Sequence, residues 1–222
     1  MKRRSLAGNV GVGIFALAFV SIFVAFFSAS WLVSDERITG AKLQRLGLWT
    51  HCFRSLPDPQ DEYQRRFFVG CRWIFDPFTT GYDQIRGYLM PWFIIWTQFF
   101  FTLAFLGVLA SFILVLLFFL CFGPDQTRFV QLITLIGGIL LGVGVCGGLA
   151  VIVFVLFANR SNWMPGHANN FFGWSFALAV AGVIEALIAG TLFMVEANIQ
   201  KKKRIYMKES QTRFEMEQET KA

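Results

Sequence analysis

Cys52 and Cys71 are the residues of this 222-residue chain best suited to covalent chemistry, and they are its only cysteines outside apolar surroundings. Cys121 and Cys146 lie inside hydrophobic runs. If the polar stretch around Cys52 and Cys71 faces an oxidising compartment, the pair reads as a disulfide rather than as two free thiols. An unstrained crosslink closing a loop of this size stabilises it by about 3 kcal/mol. Other reactive groups are sparse. His51 and His167 are the only histidines, and no carboxylate–histidine set, phosphate loop or metal-ligand spacing accompanies them. The sequence therefore offers no catalytic residue, metal site or cofactor, and an enzyme is not expected. His51 is expected to face solvent.

The elements that must hold the cysteines are written in the composition. At 55% hydrophobic and 15% charged, with 27 Phe, the chain is too apolar for an ordinary soluble domain. Four segments carry the excess, at 10–33, 91–122, 130–157 and 171–195. Each reaches the ~20 residues that a helix needs to cross a bilayer, where unpaired backbone amides are prohibitively costly. The expected fold is an all-α four-helix transmembrane bundle. It divides the remainder into an N-terminus (1–9), a long first loop (34–90), a short turn (123–129), a second loop (158–170) and a polar tail (196–222). The net charge of +6 does not imply nucleic acid, because the basic residues gather at membrane edges and in the loop.

Orientation follows from charge and chemistry together. Lys2, Arg3 and Arg4 precede the first span, and Lys201, Lys202, Lys203 and Arg204 follow the fourth. Both clusters predict cytoplasmic termini. The first loop carries eight Lys and Arg of its own, so the cysteine pair decides, with the loop outside. Asn159-Arg160-Ser161, a glycosylation sequon in the second loop, agrees with that placement. The first apolar run exceeds the core of a signal peptide, so it is expected to be retained rather than cleaved near Ser28-Ala29-Ser30.

Single positions refine the frame. Trp31 at the end of span one, and Pro91-Trp92 at the start of span two, suit membrane boundaries. Span three is glycine-rich: Gly138 and Gly142 are four apart, as are Gly144 and Gly148, with Gly137 and Gly147 alongside. Such small residues mark a helix-packing face, within the bundle or between two copies. Glu185 is the acid expected near mid-membrane in span four. It reads either as an ion- or proton-coupling group or as a protonated carboxyl bonded to a neighbour such as Gln98 or Thr102. In the first loop, residues 31–48 suggest short strands, and Pro57-Asp58-Pro59 with Asp61 a turn. Arg66 to Phe75 is a sharper strand, with Phe67, Val69, Cys71, Trp73 and Phe75 sharing one face. An exposed edge beside it is a template for lateral pairing.

Taken together, Trp31, then Gly47-Leu48-Trp49 with Cys52 three positions on, then Cys71, within four spans whose large loop comes first, resembles the claudin superfamily. That superfamily includes the epithelial membrane and peripheral myelin proteins. Arg86 in Ile85-Arg86, and Gly173-Trp174 entering span four, match further family positions. The 18 residues between the cysteines exceed the spacing of typical claudins. The longer spacing is similar to that of divergent invertebrate members that build septate junctions, the Pasiflora group among them. The resemblance implies a small disulfide-locked antiparallel sheet over the bundle. It also implies a plasma-membrane protein of lateral cell–cell junctions that contacts itself or other claudin-like proteins in cis and trans and supports a paracellular barrier. Junctional scaffold proteins are further implied partners, although the terminal Ala222 makes a poor PDZ anchor. Cys121 is similar to the family's palmitoylation position, with a plain buried thiol as the alternative. An auxiliary subunit of an ion channel or receptor, as in relatives of stargazin, is the other functional class the frame admits.

Overall fold

The computed structural model describes residues 5–35, 42–57, 61, 65, 67–75, 89–120, 127–160, 163 and 167–220. Four long helices dominate: α1 (Leu6–Phe27), α2 (Trp92–Leu120), α3 (Thr127–Phe157) and α4 (Trp174–Glu219). All four are long and apolar enough to cross a membrane. They pack in a ring in which α1 lies on α4, α4 on α3 and α3 on α2, with a lighter contact closing α1 on α2. Buried positions form one continuous core from Phe15 and Ile22 of α1 to Phe193 of α4. The outward faces are apolar too, through Val20, Ile113, Val145 and Ile184, which is the pattern of helices solvated by lipid rather than water. At ~1.5 Å per residue, α2 and α3 each exceed 40 Å, more than the ~30 Å of hydrocarbon, so they tilt or project. The tail is no separate element: α4 continues through it without a break.

Helix α1 stops earlier than the hydropathy implies. Ser28 turns extended at φ −80° and ψ 140°, donating its amide to Val24 O at 3.0 Å. The apolar residues beyond it, Trp31 to Val33, leave the helix and enter a sheet. That sheet has five antiparallel strands in the order β4-β3-β2-β1-β5. They are β1 (Leu32–Ser34), β2 (Leu43–Leu46), β3 (Thr50–Pro57), β4 (Phe67–Trp73) and β5 (Asn170–Phe172). The fifth strand joins the end of the second loop to Phe171 and Phe172, which were expected to open the fourth span; the helix starts only at Trp174. Leu32 pairs with Leu46 on one side and Phe172 on the other, so β1 stitches the two loops together. The turn expected at Pro57-Asp58-Pro59 lies largely outside the described residues.

Candidate functional site

The tryptophan–glycine motif is where the sheet sits on the bundle. The Trp31 ring is wholly buried, at 5.0 Å from the rings of Phe101 (α2) and Phe154 (α3) and 5.6 Å from Phe176 (α4). Its Nε1–H donates to Ala25 O of α1 at 2.8 Å, so one side chain touches all four helices. An interface tryptophan was expected here. The chain instead folds back after Ser28 and carries the ring into the core. The Trp31 backbone is shared as well: its N–H donates to Leu46 O, and its carbonyl accepts from Gly173 N.

Gly47 occupies the β2–β3 turn, donating to Thr50 O at 2.9 Å. A Cβ there would lie 2.6 Å from both Ala29 Cα and Ser28 O. Only glycine lets the turn press on the end of α1. Leu48 is buried, and its carbonyl accepts the Gln98 Nε2–H of α2 at 2.6 Å. Gln98 is thus a strut from span two to the loop rather than a partner of Glu185. Trp49 is half-buried against Phe26 at 5.3 Å and Phe75 at 6.0 Å. Gly173 repeats the trick at the other loop, where a Cβ would fall 2.2 Å from Ser30 O.

Cys52 and Cys71 face each other across β3 and β4 and form a disulfide. The bond ties the inner strand to the edge strand, with Cys52 buried and Cys71 exposed. Beside it, His51 departs from expectation: it is fully buried, and neither ring nitrogen completes a hydrogen bond among the described residues. Burial pushes its imidazole down from 6.5 to about 3, opposed only by the nearby Gly47 backbone. A lone histidine next to a cysteine gives no sequence signal of burial. The strand register, which places His51 opposite Leu46, decides it.

On β4, the alternation read from sequence holds. Phe67, Val69 and Trp73 are more than half exposed and Phe75 is close behind, whereas Phe68 is buried. Gly70 interrupts the strand at φ 92°, a left-handed conformation that favours glycine, near an irregular register with β3. Because β4 ends the strand order, one of its backbone edges has no neighbouring strand among the described residues. The site is a disulfide-pinned sheet with an exposed apolar stripe at its rim.

Polar groups in the spans fall differently from expectation. Glu185 Oε2 accepts the Ser21 hydroxyl of α1 at 3.0 Å, not Gln98 or Thr102. A second acid, Glu196, is more deeply buried. It accepts from the Ser5 hydroxyl and from Gln200 Nε2, the latter at 2.7 Å, and so clamps the start of α1 to α4. Charge at the end of an apolar run hid it among tail residues. The glycine helix also needs correcting. Gly137, Gly144 and Gly147 meet Met194, Leu187 and Val183 of α4, whereas Gly138 and Gly142 face open space and Gly148 only grazes Val183. The stripe that packs therefore runs through Gly137, Gly144 and Gly147, because helix rotation turns Gly138 and Gly142 away. Asn159 donates Nδ2–H to Asn170 O of β5 at 3.2 Å. Arg86 and Cys121 lie outside the described residues, as do Lys221 and Ala222. Among the described residues, no cluster of His, Cys, Asp or Glu could hold a metal ion.

Four lipid-suited helices bearing a disulfide-pinned sheet made from both loops on one side define a four-span membrane protein of claudin type. The comparison with known families agrees: the chain belongs to the PMP-22/EMP/MP20/claudin tight-junction family, whose model matches residues 16–195. It is also similar to human transmembrane protein 182, at 27% identity over 211 positions covering 81% of this chain and 90% of that protein. It is thus a membrane protein of tight-junction type.

Proposed function

We propose that this protein is a non-enzymatic structural component of an occluding cell–cell junction, of septate or tight type. In this reading it builds lateral assemblies in one membrane, contacts the next cell, and restricts paracellular diffusion. The observation that carries it is the rim of the sheet, where a strand edge with no neighbour among the described residues coincides with the exposed stripe of Phe67, Val69, Trp73 and Phe75. Edges of this kind invite addition of a neighbouring strand or apolar surface. A water-facing sheet would normally blunt such an edge with charge.

The reading places the sheet outside the cell and both termini in the cytoplasm, supported by the basic clusters at both ends and by the disulfide. Its partners are copies of itself and other claudin-like proteins in cis and trans, with cytoplasmic scaffold proteins at the tail. We read Asn159 as structural rather than glycosylated. One Nδ2–H donates to the β5 carbonyl and holds the side chain against the sheet. Glu185 is likewise read as a helix-to-helix tie through Ser21.

The test is the location of a tagged copy in a polarised epithelium, paired with dye exclusion after depletion. Enrichment at lateral contacts, with dye entering between depleted cells, is the expected result. Diffuse surface staining with dye still excluded would overturn the junctional role.

A further inference from the structure

At the end of the bundle opposite the sheet, α3 and the tail of α4 enclose an open groove of about 1130 Å³. Its two ends differ in chemistry. Lys201, Arg204 and Lys208 line it from α4, spaced three and four residues apart and so on one helix face. Leu135, Gly138 and Ile139 line it from α3. Their depth follows from the helix contact below: Gly137 meets Met194 and the Gly190 carbonyl. Seven residues outward along each helix, about 10 Å, Val130 and Lys201 stand level at the mouth. The cations therefore line the α4 side of the mouth, and the apolar floor runs down the lipid-facing side of α3.

Gly138 makes the floor. A Cβ there would meet nothing within 4 Å, so the groove is wide where a side chain would otherwise stand. Leu135 beside it is half exposed. Among the described residues, the ammonium groups of Lys201 and Lys208 have no partner, and no acidic side chain lines the groove. A soluble polyanion would satisfy the cations and leave the floor bare. A neutral lipid would fill the floor and leave Lys201 and Lys208 unpaired.

We propose that this groove binds one anionic glycerophospholipid, with its phosphate headgroup on Lys201 and Lys208 and an acyl chain along Leu135, Gly138 and Ile139. The inference rests on the membrane-spanning reading and not on junctional function. Such a lipid would brace the tail helix against α3.

The experiment uses the full chain in phosphatidylcholine vesicles containing phosphatidylserine with a photoreactive acyl chain, present in both leaflets so that protein orientation does not matter. Adducts are mapped by peptide mass spectrometry. The expected result is labelling concentrated at residues 130–139, displaced by unlabelled phosphatidylserine and not by added phosphatidylcholine. Lys201→Gln and Lys208→Gln should each reduce labelling about fivefold, the equivalent of ~1 kcal/mol per charge. Gly138→Leu should abolish it by filling the floor, with formation of the Cys52–Cys71 disulfide as the folding control. Labelling spread evenly over all four helices, equal displacement by phosphatidylcholine, or indifference to the lysine substitutions would each overturn the proposal. Protease access to the tail reads the orientation separately.

Discussion

Trp31 and Trp73 belong to the same sheet region and meet opposite fates. The first is fully buried and touches all four helices, and the second is 53% exposed at the rim. Gly47 and Gly70 divide in the same way. Gly47 is glycine because backbone crowds it, and Gly70 because its own φ demands it in open space. The difference separates two jobs within one loop. The family motif is the seat that fixes the sheet to the membrane, while the β4 rim is the surface that the seat presents. Residues of the seat should therefore govern folding, and residues of the rim association.

The comparison breaks most visibly at the seat. Gly47→Val should prevent the loop from docking. The cost should exceed the ~1–3 kcal/mol of ordinary overpacking, since the obstructing atoms belong to backbone. Retention in the secretory pathway and loss of the Cys52–Cys71 disulfide on non-reducing gels would register it. Trp31→Ala should cost about 3–5 kcal/mol through the cavity among Phe101, Phe154 and Phe176, seen as a lowered thermal midpoint in detergent.

His51 offers a subtler probe of the same seat. Its folded pKa of about 3 lies below the unfolded 6.5, so the unfolded chain binds more protons in that window. The sheet should be fully stable above about pH 6.5 and lose ~1.4 kcal/mol for each unit of acidification toward 3. Stability measured against pH should flatten in His51→Leu. An unchanged acid slope in that variant would show that His51 is not the proton acceptor.

Away from the seat the expected stability effects are smaller. Asn159→Gln removes the tie to Asn170 at about 1 kcal/mol, and it should leave gel mobility unchanged. A mobility shift on glycosidase treatment of the native protein would refute the structural assignment. Val69→Lys and Trp73→Ser should alter stability by no more than ~0.5 kcal/mol, yet abolish lateral assembly when crosslinked oligomers are counted. Rim variants that assemble normally would erase the distinction between seat and rim.

Much of this architecture was legible in the residues. Four apolar runs are unambiguous because lipid leaves the backbone no alternative to a helix, and two cysteines in the one long polar loop leave a single pairing there. Alternation along Phe67 to Phe75 is a local property, so the two faces of β4 could be separated in the sequence, but both carry aromatics and only the packing decided which one stays exposed. Burial that depends on distant chain was not legible. Trp31 looked like an interface residue because the stop of α1 at Ser28 is set by the loop turning back, not by hydropathy. Gly137, Gly144 and Gly147 were distinguishable from Gly138 and Gly142 only once α4 fixed the rotation of α3. The same holds for β5, a three-residue strand that exists because β1 offers it an edge.

The sequence by itself determined the membrane class, the four spans, the cysteine pair and the alternation along β4, because solvent and covalent reach act on neighbouring residues. Only the tertiary structure decided which tryptophan became the keystone and which glycines touch, and that His51 is sealed from water and Glu196 holds α1. These depend on the contacts between elements far apart in the chain, where a turn of one residue or a third of a helical turn exchanges inside for outside.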